Sequence, residues 1–171
     1  GPPFSRKLTS CDEDIFINCW KHALNMPISN AYLSQLERGI IGHEKKAKGR
    51  LAGDIQDAIL RILVASSLDT DILNILEIGV LFGVNAICCY KLTDDRYSRK
   101  HITLVDPLYG YYLPGEMDTL TKLPVNRDTL ELNLSMATIP ASDYTIVEGL
   151  STSASTIQKV SHCLYQIVFI D

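Results

Sequence analysis

The chain has 171 residues, of which 46% are hydrophobic and 21% charged, and its formal net charge is −4. This length suits one domain with a sizeable core, and so apolar a composition excludes an intrinsically disordered chain. The acidic balance also argues against a surface for nucleic acid.

The amino-terminal part of the chain has the pattern of helices. Apolar residues recur at helical spacing in residues 11–24, and acidic residues stand favourably at the amino end of this stretch. Residues 29–38 are predicted to form a second, short helix, with Ser29 or Asn30 as its cap and Gly39 as its stop.

A third helix is predicted over residues 54–66, because the apolar side chains there fall on one helical face. The basic run before it, residues 45–50, is interpreted as a solvated connection, and contact with an anionic substrate or partner is the alternative. We expect residues 1–70 as a whole to form a helical cap or lid, which would cover one sheet face or the entrance to a ligand site.

Residues 71–171 alternate between short apolar strands and helices. The predicted strands are residues 75–78, 101–105, 144–147 and 166–170. The predicted helices are residues 84–90, 126–136 and 153–162, and residues 107–124 form a longer irregular connection. This alternation is typical of a parallel sheet with right-handed crossovers, so the predicted fold is α/β, a Rossmann-like parallel sheet with helices on both faces.

The first predicted strand runs into a glycine turn that carries an acid, Glu77-x-Gly79-x-x-x-Gly83. A dinucleotide-binding turn has the pattern G-x-G-x-x-G, without bulky residues such as Leu81 and Phe82 inside it. An acid is repelled by a pyrophosphate but suits a ligand with an ammonium group and a sulfonium. An NAD-dependent oxidoreductase is therefore disfavoured, and it stays as an alternative.

Four short motifs stand at the ends of the predicted strands. The first is the Glu77 turn, and the second is D-P-L-Y-G-Y-Y at residues 106–112. The third is Y-T-I-V-E-G-L-S at residues 144–151, and the fourth is I-V-F-I-D at residues 167–171. In this order they resemble the class I S-adenosylmethionine-dependent methyltransferases, and within that class the small-molecule and sugar O-methyltransferases with a D-P-L-x-G-Y-Y segment after the second strand.

The resemblance, which spans residues 72–171, implies a set of cofactor-binding residues. The turn would surround the methionine part of S-adenosylmethionine, with Glu77 acting on its amino group, and Asp106 would accept hydrogen bonds from both ribose hydroxyls. Residues 148–151 would flank the adenine. The implied set is Glu77, Gly79, Gly83, Asp106, Tyr111, Glu148, Gly149 and Ser151.

The resemblance also implies a role for Asp171, at the end of the fourth strand. It would lie near the transferring methyl group, which makes it the candidate catalytic residue, and in some similar enzymes an acid here binds a divalent metal such as Mg²⁺. The implied reaction is O-methylation of a small-molecule or sugar hydroxyl, so the expected partner is a small-molecule or glycan acceptor, with no nucleic acid and no membrane.

Structural explanations for the same residues remain open. Gly79 and Gly83 could form an ordinary strand-to-helix turn, and Asp106 could initiate a turn before a proline. Glu148 could be a solvated strand end, and Ser151 could cap the helix that follows it. Tyr111 and its neighbour could line a pocket or pack their own loop.

The fourth strand, at residues 167–170, would present an apolar, unpaired edge. Because a complete fold of this class continues with further strands, we expect the remainder of a longer protein or a partner chain to cover it. A truncated or non-catalytic domain that acts as an interaction module is therefore the second alternative. The five cysteines lack C-x-x-C spacing and are expected to be reduced, which indicates a cytoplasmic protein.

Overall fold

Helices and strands alternate along the described chain. The computed structural model describes residues 6–171, so residues 1–5 of the predicted cap lie outside it. The helices are α1 (Ser10–Ile15), α2 (Lys21–Ala23), α3 (Asn30–Lys46), α4 (Ile55–Ser67), α5 (Val84–Leu92), α6 (Arg127–Met136) and α7 (Ala154–Val160). The strands are β1 (Ile72–Ile78), β2 (Arg99–Asp106), β3 (Tyr144–Glu148) and β4 (Ile167–Ile170). The elements predicted within residues 71–171 are all present.

The four strands form one parallel sheet in the order β3-β2-β1-β4. β1 pairs with β2 over its whole length and with β4 from Ile75, which lies opposite Ile167. The predicted Rossmann-like parallel sheet is therefore confirmed. Because the order of the strands reverses at β1, a crevice opens at the carboxyl ends of the strands, where ligands bind in folds of this kind.

Side chains that alternate along the strands supply two cores, one on each face of the sheet. Leu73 and Ile75 of β1 pack with Leu130 of α6 and with the apolar side of α5. On the opposite face, Leu76 packs with neighbouring strand residues near Val160 of α7. The sheet thus has helices on both faces, as the alternating pattern predicts.

The amino-terminal helices α3 and α4 pack outside α5 and form a further buried cluster with it. α3 is longer than predicted, because it continues past Gly39 to Lys46. A Cβ atom at Gly39 would lie 2.8 Å from Cδ2 of Leu92, so the glycine permits a close approach of α3 to α5. The predicted helix stop at Gly39 is therefore wrong.

The predicted helix over residues 11–24 is present as three consecutive pieces. α1 is followed by a π-helical stretch, Phe16–Trp20, and then by α2. A capping box begins α1, because the Thr9 hydroxyl accepts a hydrogen bond from the backbone N–H of Asp12 and the Asp12 carboxylate accepts one from the backbone N–H of Thr9. The buried side chain of Phe16 joins the cluster formed by α3 and α4.

No helix within residues 6–171 is long and apolar enough to cross a membrane. The apolar stretch around β1 and α5 is instead accommodated as a central strand and a buried helix of the α/β core.

Candidate functional site

The turn between β1 and α5 has three residues in the left-handed region, at φ values of 85° for Gly79, 52° for Leu81 and 82° for Gly83. A Cβ atom at Gly79 would lie 3.0 Å from the backbone oxygen of Asp171, and one at Gly83 would lie 2.4 Å from Cδ1 of Leu130. Both glycines therefore have a structural reason to be glycine. Gly79 brings the turn against the end of β4, and Gly83 brings it against α6.

Asp106, the last residue of β2, holds two segments of backbone together. Its Oδ2 atom accepts a hydrogen bond of 2.8 Å from the N–H of Val80 in the glycine turn, and its Oδ1 atom accepts one of 2.8 Å from the N–H of Leu108. Each carboxylate oxygen has two lone pairs, so each retains capacity for a further donor. Asp106 thus acts as a turn residue and also keeps acceptor sites for a ligand.

A cleft of about 340 Å³ opens between the strand ends, the glycine turn and the loop after β2. This volume lies at the lower end of the usual range for small-molecule sites. Four of the predicted site residues line the cleft, namely Gly79, Asp106, Tyr111 and Asp171. The lining residues that were not predicted as site residues include Arg50, Gly53 and Tyr112.

The residues predicted to flank an adenine lie beside this cleft but do not line it. Glu148 stands opposite Asp106 in the β2–β3 register, and its half-exposed carboxylate pairs with Arg127 at 3.1 Å. The backbone N–H of Gly149 donates to the backbone oxygen of Asp106. Ser151 does not cap α7, because the hydroxyl of Ser153 does so. Their role in binding adenine stays a prediction.

The loop after β2 is tied to the connection between α3 and α4. Arg50 donates to both carboxylate oxygens of Asp118, and its Nη2 also donates to the hydroxyl of Tyr111 at 3.3 Å. Asp118 is fully buried; burial opposes its ionisation, but hydrogen bonds from Arg50 and Thr121 outweigh this effect and lower its pKa. The interpretation of Arg50 as part of a solvated connection is therefore wrong.

The rings of Tyr111 and Tyr112 form one wall of the cleft, with their centroids 4.2 Å apart. Tyr112 is three-quarters exposed, whereas Tyr111 is partly buried and is held by Arg50. The sequence left two explanations for this segment, that it lines a pocket and that it packs its own loop, and the structure supports both. Tyr111 packs the loop through its hydroxyl while its ring faces the cleft.

Glu77 is buried behind the cleft, and its nearest charged neighbour is Arg61 of α4. The Oε1 atom of Glu77 lies 3.8 Å from Nη1 of Arg61, and Nη2 of Arg61 lies 3.8 Å from Oδ1 of Asp171. Burial raises the pKa of Glu77 to about 8, against the opposing effect of Arg61, and Asp171 and Asp106 raise it further. Neither Oε1 of Glu77 nor Nη1 of Arg61 has a hydrogen-bond partner within residues 6–171.

Arg61 is a residue that the sequence patterns did not indicate. It follows Ala58 by three positions, so it borders the apolar face of α4. A single cation beside an apolar helix face is the feature of the sequence that could have indicated a site residue here. Its guanidinium lies over the ring of Phe169, 5.0 Å from the centroid. The guanidinium thus contacts both β4, through Phe169, and β1, through Glu77.

Among the described residues, Asp171 lies beside a cation and not within a set of metal ligands. Within the part of the chain that the structure describes, no group of three or more His, Cys, Asp or Glu side chains could hold a metal ion. The neighbour of the Asp171 carboxylate is the guanidinium of Arg61, a cation that repels a divalent ion. The described residues therefore do not fit a Mg²⁺ site, and no metal enters the function proposed below.

Comparison with known proteins gives structural likenesses only. No protein-family model and no curated protein matches the chain. The cofactor-bound Rv0187 protein from MTB aligns at a TM-score of 0.49 with 17% sequence identity, over 97% of this chain and 62% of that one. A putative O-methyltransferase from Klebsiella pneumoniae aligns at 0.47 with 17% identity, over 90% of this chain and 58% of that one.

A third structure, MNMC2 from Aquifex aeolicus, aligns at a TM-score of 0.39 with 11% identity, over 90% of this chain and 59% of that one. The chain thus spans about three fifths of the length of the solved structures it resembles.

Proposed function

We propose that this chain binds S-adenosylmethionine and belongs to a methyltransferase that acts on a hydroxyl group of a small molecule or sugar. The observation that carries the proposal is the position of the Asp106 carboxylate on the cleft wall, at the carboxyl end of β2 between the glycine turn and the following loop. The order of motifs in the sequence supports the same function. A cytoplasmic location is part of the proposal.

The residues around the cleft fit the chemical groups of this cofactor. Asp106 has spare acceptor capacity on both oxygens, as two ribose hydroxyls require. Gly79 lets the turn pack closely against Asp171 on the cleft wall, and the buried Glu77 two residues before it has an oxygen without a hydrogen-bond partner among the described residues. Tyr111 and Tyr112 offer ring surface to apolar parts of a ligand.

Bound S-adenosylmethionine would supply an electrophilic methyl group to the acceptor oxygen. The contribution of the chain is to hold the two reactants in line in the cleft. Asp171 is a half-exposed carboxylate on the cleft wall, and in this proposal it accepts the proton of the acceptor hydroxyl. The loop after β2, held by Arg50, would form the acceptor side of the cleft.

The proposal is tested by titration calorimetry with S-adenosylhomocysteine, S-adenosylmethionine and NAD. We expect both sulfur nucleosides to bind. Asp106→Ala should lower the affinity for S-adenosylhomocysteine by about 10- to 100-fold, the usual cost of losing hydrogen bonds to a charged group. Asp95→Ala is the matched control. Asp95 is a fully exposed carboxylate near the start of β2, at the amino ends of the strands and away from the cleft.

Each alternative function has its own outcome in this experiment. Binding of NAD without binding of the sulfur nucleosides would contradict the proposal and favour an oxidoreductase. Absence of all nucleotide binding by the folded chain would favour an interaction module. A similar loss of affinity in the Asp106 and Asp95 variants would show that the cleft is not the binding site.

A further inference from the structure

The loop after β2, residues 107–124, has large apolar side chains on its outside. Five of them are between 46% and 76% exposed, namely Tyr109, Tyr112, Leu113, Met117 and Leu120. Single exposed apolar residues are common on protein surfaces, but several in one short segment are typical of a surface that binds a ligand or a partner. The exposed side chains of this loop therefore indicate a binding surface.

The acids of the same loop are used to order it. The Glu116 carboxylate accepts hydrogen bonds of 2.9 and 3.1 Å from the backbone N–H groups of Tyr112 and Leu113. The buried carboxylate of Asp118 pairs with Arg50 at 2.8 Å. Because these polar contacts order the loop, its apolar side chains are held at the surface of the folded chain.

This surface is continuous with the cleft. Tyr112 lines the cleft beside Tyr111, and it is also the most exposed of the five apolar residues. A cleft of about 340 Å³ has room for one small ligand. With the cofactor in the cleft, an acceptor whose hydroxyl reaches Asp171 would extend outward over Tyr112 and Leu113.

The charges of the loop favour an uncharged apolar group as its ligand. Residues 107–124 contain two acids and one lysine, and both acids are engaged in the contacts described above. Membrane surfaces with anionic lipids attract clusters of lysine and arginine, which this segment of the sequence lacks. Leucine and methionine side chains gain free energy by covering an alkyl or aryl group, whereas a wholly polar sugar offers them little apolar area to cover.

We propose that the loop after β2 binds the apolar part of the acceptor, which is therefore an amphiphilic alcohol with a hydroxyl at one end and an alkyl or aryl group at the other. The inference rests on the proposed function, because the hydroxyl of this molecule is the group that receives the methyl. Leu113 and Leu120 contact the apolar end of the acceptor. Tyr112 lies between that end and the cleft.

The test uses two glycosides that differ only in the length of their alkyl group. Methyl and octyl β-D-glucopyranoside have the same sugar hydroxyls. Each is titrated calorimetrically into the chain saturated with S-adenosylhomocysteine, below the concentration at which the octyl compound forms micelles. We expect the octyl glucoside to bind at least about tenfold more tightly, because each methylene group that the loop covers adds to the affinity.

Substitutions in the loop locate the bound alkyl group. Leu113→Ser and Leu120→Ser should each lower the affinity for octyl glucoside by about three- to tenfold, and leave the affinities for methyl glucoside and S-adenosylhomocysteine unchanged. Leu113→Met keeps an apolar side chain of similar volume, so it should bind octyl glucoside as the original chain does. The matched controls are Leu164→Ser, at an exposed leucine before β4, and Val168→Ser, on the exposed side of β4. Both controls should leave the affinity for octyl glucoside unchanged.

The outcomes separate this inference from the proposed function. If the chain binds no sulfur nucleoside, the proposed function fails, whether or not octyl glucoside binds. If the chain binds S-adenosylhomocysteine but binds the two glucosides equally well, only the inference about the loop fails. Equal losses of octyl glucoside affinity in the Leu113→Ser and Val168→Ser variants would likewise overturn only this inference.

Three further results would contradict the assignment of the loop to the acceptor. Competition between octyl glucoside and S-adenosylhomocysteine would place the alkyl group in the cofactor's part of the cleft. Binding of the chain to phosphatidylcholine vesicles that Leu113→Ser abolishes would make the loop a contact for a bilayer. Self-association that Leu113→Ser abolishes would make it a contact for a second copy of the chain.

Discussion

Arg50 and Asp118 form a bidentate ion pair across 68 residues of sequence, with Nε of Arg50 3.1 Å from Oδ2 and Nη2 2.8 Å from Oδ1. Asp118 is fully buried and also accepts hydrogen bonds from the backbone and hydroxyl of Thr121. The pair joins the connection after α3 to the loop after β2. It therefore fixes the distance between two sides of the cleft.

Removal of the Arg50 side chain is expected to destabilise the fold. Arg50→Met would leave the Asp118 carboxylate buried without its cation, at a cost of about 3–5 kcal/mol in the free energy of unfolding measured with urea. Arg50→Lys should cost less, because it keeps the charge and loses only the forked geometry. As a control, Arg127→Met breaks half-exposed pairs with Glu131 and Glu148 and should cost less than about 1 kcal/mol. Equal losses in the Arg50→Met and Arg127→Met variants would contradict this explanation.

The buried carboxyl of Glu77 is expected to make stability depend on pH. Its pKa rises from 4.5 to about 8 on folding, so the folded chain holds a proton that the unfolded chain has lost between these values. This contribution to stability is complete below about pH 4.5 and is lost as the pH rises to about 8. The slope should approach roughly 1 kcal/mol per pH unit.

Glu77→Gln removes this proton and isolates its effect. The other charged or titratable groups around the site, namely Arg61 on α4, Cys89 on α5, Asp106 on β2 and Asp171 after β4, are the same in both chains. The difference in unfolding free energy between the original chain and the variant should therefore fall steadily from about pH 5 to 8. A difference that stays constant over this range would mean that Glu77 is ionised throughout.

A matched pair of glycine variants tests the turn. An added methyl group should lower the free energy of unfolding at one glycine and raise it at the other. Gly83→Ala places a Cβ atom 2.4 Å from Leu130 at a φ of 82°, so a loss of about 2 kcal/mol or more in unfolding free energy is expected. Gly42→Ala lies within α3 and meets nothing within 4 Å, so a gain of about 0.5–1 kcal/mol is expected. Thermal unfolding of both variants measures the contrast. Tolerance of Gly83→Ala would show that the turn can relax away from α6.

The outer side of β4 is expected to bind further protein, either the remainder of the domain or a partner chain. Within residues 6–171, β4 pairs with β1 alone, and Val168 and Ile170 are 47% and 74% exposed. We expect the isolated chain to self-associate with rising concentration in sedimentation experiments, and Val168→Lys to reduce this association. Leu132→Lys, at a similarly exposed position on α6, should leave it unchanged. A chain that stays monomeric at all concentrations would contradict the expectation.

Local pattern was sufficient to predict the alternating elements and four of the cleft residues. Parallel strands bring their carboxyl ends to one edge, so Gly79, Asp106 and Asp171 meet there whatever else the chain does. The helix stop at Gly39 failed because that glycine serves the packing of α3 on α5, a contact between distant segments.

The two arginines at the site show what sequence patterns miss. The pairing of Arg50 with Asp118 and the position of Arg61 beside Glu77 depend on contacts between segments that are far apart in the chain. Neither contact leaves a periodic signal along the sequence. The location of the cleft could therefore be predicted from the sequence, whereas the charge contacts around it could be identified only in the folded chain.

The pairing of β1 with β4 also has a consequence for biosynthesis. The hydrogen bond from Asn74 to Gln166 at the start of this pairing joins residues 92 positions apart. On a ribosome that adds roughly 5–20 residues per second, the β4 side of β1 stays without its neighbour for about 5–18 s after β1 has been made. During that interval one edge of β1 has no neighbouring strand, so it is then that a molecular chaperone would be most useful to the nascent chain.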